Sequence, residues 1–227
     1  MDMFQSAEFW VRLVEIIWIN IILSGDNAVV IALAARSLPP AQQAKAVMFG
    51  SGAAVVLRVI LTVVAAKLLE ISFLQIIGGL LLLWIGVQLL TAEEENADGV
   101  KSAGGLMTAV RTILIADLVM SLDNVIAVAA AAKGNTVLLV LGLVISIPLV
   151  IFGSTLMIRL MERFPVIIVL GAALIGWVGG ETIVGDAVLR DVLIAHSSLH
   201  FVAAALGAAL VLGMGKLLRR SSKRSAH

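Results

Sequence analysis

Seven long apolar runs divide the chain, each closed by a charged stretch or by Pro and Gly. They cover Phe9–Ala35, Ala41–Ala66, Ile71–Leu90, Leu106–Ala132, Thr136–Leu160, Val166–Ile183 and Leu199–Leu218. An α-helix rises about 1.5 Å per residue, so about 20 apolar residues cross the roughly 30 Å hydrocarbon core of a bilayer. Each run approaches or exceeds that length. The pattern therefore predicts an all-α, polytopic membrane protein with seven transmembrane helices. Pro39-Pro40 and Pro165 fall at helix starts, where proline is tolerated, whereas Pro148 lies inside the fifth run and predicts a kink. The two connections long enough to be mobile are Thr91 to Gly105 and the one before Leu199.

The same pattern repeats. Shifted by 97 positions, Asn20 to Arg36 falls on Asp117 to Lys133, with Ser24, Asp26, Asn27, Ala32, Ala34 and Ala35 matched identically. Shifted by 92, Lys67, Glu70 and Gly79 fall on Arg159, Glu162 and Gly171. Helices one to three (about 8–91) thus recur as four to six (about 105–184), followed by an appended helix (about 199–218) and a basic tail (219–227). The whole of 1–227 reads as one membrane domain. Three spans is an odd number, so the two copies have opposite orientation, the 3+3 inverted repeat of many secondary transporters. Access would alternate by rocking of one repeat against the other.

Composition agrees with the membrane class. The chain has 227 residues, 61% hydrophobic and 14% charged, with a mean hydropathy of +1.10. Soluble domains carry about 25% charged residues. The net charge of +1 gives no reason to expect nucleic acid as a partner. Without cysteine there are no disulfides, thiolate metal sites or iron–sulfur clusters. Asp2 and Glu8 stand where a cleavable signal would be basic, so the first run is expected to stay in the mature chain.

Basic residues set the orientation. Arg36, Lys45, Lys101, Arg111, Arg159, Arg163, Lys216, Arg219, Arg220, Lys223 and Arg224 collect on one side, against Arg12, Lys67, Lys133 and Arg190 on the other. The excess places the N-terminus outside and the C-terminus in the cytoplasm. Arg58 belongs to neither side because it lies within the second span.

What remains are polar groups at membrane depth, which are costly and usually mark a pathway or site. Asn20, Ser24 and Asn27 share one helix face, as do Asp117, Ser121 and Asn124. Asp26 and Asp123 lie about 100° from the adjacent Asn on a regular helix. Either they form a second edge of the polar face, or the helices unwind at Gly25 and Leu122. The carboxylates Asp26, Asp117 and Asp123, with the carboxamides of Asn27 and Asn124, are all hard oxygen donors. They suit Mg²⁺, Ca²⁺ or Mn²⁺ and suit Cu or Zn poorly. The same carboxylates could take up protons as the ion leaves.

Several residues have a plainer reading. A lone intramembrane Asp is often a protonated helix contact, which fits a duplicated set less well. Arg58 is expected as a structural counter-ion to one of the Asp residues. Glu181, whose repeat partner is Leu89, is either a ligand on the exit path or a wetted interfacial residue. Glu15 and Asp186 read as interfacial, the run Glu93-Glu94-Glu95 with Asp98 as a solvated loop, and the three His as peripheral. Trp10, Trp18, Trp84 and Trp177 include interfacial anchors. An intramembrane aspartyl hydrolase would also use two Asp sharing a proton. The chain lacks the Gly-x-Gly-Asp and Tyr-Asp context expected of such proteases, so the chain does not read as an enzyme.

At these residues the sequence resembles the TerC family, and more closely its short YjbE-type members. The likeness rests on Ser24-Gly25-Asp26-Asn27-Ala28-Val29-Val30, on Asp117 to Val125, and on Gly180-Glu181-Thr182-Ile183 followed by Asp186. The resemblance implies a seven-helix fold related to the LysE-type exporters and export of divalent metal, chiefly Mn²⁺, as transported ion rather than prosthetic group. It implies a metal site at Asp26, Asn27, Asp117, Asp123 and Asn124, with Glu181 a weaker addition. Asn20 stands where the second half has Asp117, so the implied site is asymmetric. Ca²⁺ or another divalent cation exchanged for protons, and a membrane partner that hands metal to secreted enzymes, are the competing readings. The sequence leaves a homo-oligomer open.

Overall fold

The structure is a computed structural model that describes residues 7–23, 25–68, 71–97, 105–132, 135–189 and 198–225. For some positions inside its helices, including Asn20, Lys67, Glu93–Glu95 and Asp123, only the backbone is described. Among the described residues the protein is all helical, without strands. The helices are α1 (Ala7–Leu23), α2 (Gly25–Ala35), α3 (Pro40–Leu68), α4 (Leu74–Ala97), α5 (Leu106–Ala132), α6 (Thr136–Arg163), α7 (Val166–Val184) and α8 (Leu199–Ser225). A short 3-10 turn, Ala187–Leu189, follows α7. Five of the described helices, α3, α4, α6, α7 and α8, are long and apolar enough to cross a membrane.

Three boundaries differ from the sequence pattern. The first run forms two helical segments on either side of Ser24, which is outside the described residues. Helix α4 continues to Ala97, so Glu93–Glu95 lie on helix and not in a loop. Helix α8 continues through the basic tail to Ser225. Glu, Ala, Lys and Arg are good helix formers, and cations suit a helix C-terminus, so polarity there ends the membrane contact without ending the helix. Helix α6 runs uninterrupted through Pro148.

Large apolar side chains face outward, among them Trp84, Phe152, Leu170, Phe201 and Leu206. In water such a surface would be a liability, and in lipid it is the expected exterior. The interior combines large apolar side chains such as Ile16, Leu82, Ile113 and Met161 with buried polar groups such as Arg58, Asp117 and Ser121. Helix α2 is the centre of the bundle: every residue from Asn27 to Ala35 is buried. A short helix apolar all round belongs inside a larger assembly.

Contacts fix the helix directions. Gly50 faces Ile113 and Arg58 meets Asp117, so α3 and α5 run parallel. Gly142 faces Ile16 and Gly153 faces Ala28, so α1 and α2 run parallel to α6. Gly79 meets Gly179 while Gly86 lies beside Ile175, which makes α4 and α7 antiparallel. A Cβ at Gly79 would sit 2.5 Å from the Gly179 carbonyl oxygen, and one at Gly176 would sit 2.6 Å from that of Gly207. Glycine is required where backbones approach this closely. Helices α4, α7 and α8 therefore form one tightly joined group, and α1, α2, α3, α5 and α6 form the other. Contacts between the groups, through α4–α5, α2–α7, α5–α7 and α6–α7, are thinner.

A carboxylate completes the first group. Asp186, fully buried just beyond α7, accepts the backbone N–H groups of Phe73 at 3.1 Å, Gln75 at 3.0 Å and Ile76 at 3.3 Å. It also accepts that of Val188 at 3.0 Å. The amides of Phe73, Gln75 and Ile76 lie at the entry to α4, where no preceding turn of helix satisfies them. Phe73 enters α4 with φ of +68°, a left-handed conformation uncommon outside glycine. Burial penalises the charge of Asp186, but the four amides outweigh that penalty and hold its carboxyl below the ordinary 3.8. The interfacial role expected of this residue is thus replaced by a helix cap reaching across more than 100 residues of chain.

Candidate cation site

Asp26 and Asn27 occupy the first turn of α2. The backbone N–H of Asn27 donates to Asp26 Oδ1 at 2.8 Å, as first-turn amides do when no preceding carbonyl takes them. The positive end of the α2 dipole also favours a carboxylate here. Asp26 is half-buried, Asn27 is buried, and Gly25 beside them is exposed. A Cβ at Gly25 would meet nothing within 4 Å. The Asp26 carboxylate therefore stands at the edge of open space while its helix is enclosed.

Across from it lies a buried charge pair. Arg58 on α3 donates from Nη2 to Asp117 Oδ1 on α5 at 2.6 Å. Arg58 Nε donates to Ser121 Oγ at 3.1 Å, and Ser121 Oγ donates to Asp117 Oδ2 at 3.3 Å. Both carboxylate oxygens of Asp117 are thus engaged. Each member of the ion pair exposes only 6% of its side chain. The counter-ion expected for Arg58 is Asp117. Helix α2 packs against both α3 and α5, which brings Asp26 into the electrostatic neighbourhood of this pair. Asn124 follows on α5, half-buried, two turns beyond Asp117.

Helix α5 is unbroken through Ser121-Leu122-Asp123-Asn124. The unwinding at Leu122 therefore does not occur, and the Asp123 backbone sits on regular helix. The Asp123 side chain is outside the described residues, as are Ser24 and the side chain of Asn20. No cluster of three or more His, Asp or Glu able to hold a metal ion is assembled among the described residues.

Glu181 is placed elsewhere. It sits in the last turn of α7 with Oε1 3.4 Å from His200 Nδ1 on α8. Both side chains are partly exposed, and no described contact joins Glu181 to Asp26, Arg58 or Asp117. His200, expected to be peripheral, is its partner. An apolar groove of about 510 Å³ between α4 and α8, lined by Leu83, Trp84 and Met214 among others, contains no carboxylate. Sequence reasoning missed the cap by Asp186 and the Glu181–His200 contact, because neither pair is close in sequence or matched in the repeat.

The profile described as "Integral membrane protein TerC family" matches residues 5–223. The chain belongs to the TerC family. Among similar proteins, the Bacillus subtilis (strain 168) membrane protein YjbE is 43% identical over 208 residues, 92% of this chain and 95% of YjbE. YkoY of the same organism is 25% identical over 85% of this chain and 64% of its own length. The inner membrane protein YoaE of Escherichia coli (strain K12) is 28% identical over 75% of this chain and 36% of its own. No solved structure matches the chain. As a TerC protein it is an integral multi-pass membrane protein with several apolar helices.

Proposed function

We propose that this TerC protein exports a divalent metal cation, with Mn²⁺ the preferred ion, coupled to protons or to the membrane potential. The observation that carries this reading is Asp26, in the first turn of the enclosed helix α2, which packs against the helices that bear the Arg58–Asp117 pair. Asp26, Asp117 and Asp123 contribute three negative charges and Arg58 one positive charge, leaving two negative charges for one divalent ion. Asp26 and Asp123 are the central ligands, and Asn27 and Asn124 add neutral oxygens. Asp117 sets the local charge through Arg58, and the ligand carboxylates take up protons when the ion leaves. Glu181 acts outside this group, toward the end of α7. Every donor is oxygen, which favours hard cations.

The packing supports an inverted repeat. Taking α1–α2, α3 and α4 as one copy and α5, α6 and α7 as the other, exchange of copies turns the α3–α5 contact into the α6–α1/α2 contact. It returns α4–α7 and α3–α6 to themselves, and all of these contacts are present. The antiparallel α4–α7 pair is what copies of opposite orientation require. With α8 appended, the chain crosses seven times, the N-terminus outside and the basic C-terminus in the cytoplasm, in a bacterial cytoplasmic membrane. The copies interlock through α3–α5 and α6–α1/α2, so they cannot rock as separate bodies. Movement of the α4–α7–α8 group against the remaining helices gives alternating access instead.

Purified protein in liposomes, with Mn²⁺, Ca²⁺ or Mg²⁺ on one side and a pH gradient imposed or absent, tests this. Flux of Mn²⁺ that is lost in Asp26→Asn and in Asp123→Asn is the expected outcome. Undiminished flux in both variants removes the site assignment, and absence of any divalent flux from the unaltered protein removes the function.

A further inference from the structure

Among the described residues six hydroxyl-bearing residues are buried: Ser51, Thr62, Ser121, Ser146, Ser154 and Thr182. Four donate to the carbonyl one turn back, at 2.7 Å for Thr62, 2.8 Å for Ser146, 2.7 Å for Ser154 and 2.8 Å for Thr182. Ser121 is held by Arg58 and Asp117. Ser51 Oγ alone has no hydrogen-bond partner among the described residues, although its residue is only 1% exposed. A hydroxyl left unsatisfied inside a protein costs about 1–3 kcal/mol. A buried water or another polar species is the usual remedy.

The position of Ser51 indicates what that species is. Ser51, Arg58 and Thr62 are seven and four residues apart and fall within an arc of about 40° on α3. All three are buried, and the opposite face of α3 carries exposed Phe49, Val56 and Ile60. The stripe thus points into the bundle. Ser51 lies about 10 Å from Arg58 along the helix axis, on the side of the α3 N-terminus. Gly50 and Gly52 flank it, and a Cβ at Gly52 would meet nothing within 4 Å.

We propose that Ser51 is an oxygen waypoint for the partly hydrated divalent cation between the α3 N-terminal side of the membrane and the Asp26 site. The inference rests on the transport reading and adds a residue that neither the repeat nor the carboxylates identify. In Ser51→Cys the chain acquires its only thiol, because the native sequence has no cysteine. Sealed vesicles of each orientation are treated with a positively charged, membrane-impermeant methanethiosulfonate, with and without Mn²⁺. The expected result is loss of the thiol when reagent is applied on the α3 N-terminal side, and protection from that loss by Mn²⁺. Lipid-facing Phe152→Cys, 68% exposed in the bundle, is expected to remain unmodified. A Ser51 thiol that survives reagent from both sides overturns the proposal, and so does modification that Mn²⁺ does not slow. Ser51→Ala supplies a second readout: lowered Mn²⁺ flux with unchanged yield of folded protein is expected, and unchanged flux overturns the role. Labelling reports water and metal at Ser51 whether or not ions cross, so its failure is distinct from failure of transport by the unaltered protein.

Discussion

Arg58 and Asp117 would each be a costly charge at membrane depth, and together they form one hydrogen-bonded unit with Ser121. The repeat records this dependence. Asn20 stands at the position matching Asp117, and with the offset of 92 Val150 stands at the position matching Arg58, so neither charge occurs where the other is missing. Removing one partner of a buried pair typically costs about 3–5 kcal/mol, because the other charge stays buried and uncompensated. Arg58→Met alone is therefore expected to lower the thermal unfolding midpoint in detergent strongly. Arg58→Met combined with Asp117→Asn should recover most of that loss. A double variant as unstable as the single one would show that the two charges are not coupled. The asymmetry at Asn20 and Asp117 was visible in the sequence; its cause, an arginine from another helix, was not.

At the scale of elements, the apolar runs located nearly every helix, and their inaccuracies lie where polarity and helix formation part company. Helices α4 and α8 leave the apolar zone without ending, since their polar residues still favour helix. The entry to α4 depends on something no local pattern contains. Its first-turn amides are satisfied by Asp186, whose lowered pKa makes this contact pH-dependent. A carboxyl depressed in the folded state stabilises fully above its unfolded value of about 3.8 and loses that contribution as pH falls through the folded value. Acidification below about pH 4 should destabilise the native protein, and Asp186→Asn should shrink this acid-dependent part. Unfolding midpoints measured between pH 7 and 3 check it; an equal acid response in both proteins would leave the cap without energetic weight. At neutral pH, Asp186→Ala should cost about 1–3 kcal/mol.

For the whole molecule, the decisive feature is that the repeat boundary is not the mechanical boundary. Close glycine contacts and the Asp186 cap unite α4, α7 and α8, while α3–α5 and α1/α2–α6 interlock the remaining helices across the repeat. Two engineered disulfides separate the possibilities in this cysteine-free chain. A Cβ at Gly50 would lie 3.4 Å from the Ile113 Cβ within one group, and a Cβ at Gly78 would lie 3.6 Å from the Val119 Cβ between the groups. Both are close to the mean of about 3.8 Å for a disulfide. Oxidised Gly50→Cys/Ile113→Cys should retain flux, whereas oxidised Gly78→Cys/Val119→Cys should lose it and regain it on reduction. Rocking of intact repeats predicts that the 50–113 link also blocks flux.

The sequence by itself determined the membrane class, most helix positions, the duplicated Asp-Asn segments and the all-oxygen donor set of the candidate site. These follow from composition and spacing, because lipid imposes length and apolarity on each span separately. Only the tertiary structure decided which charges neutralise each other, which carboxylate caps α4, that Glu181 faces His200, and that Ser51 alone among the described buried hydroxyls lacks a partner. Those outcomes depend on contacts between helices far apart in sequence, and no local periodicity encodes them.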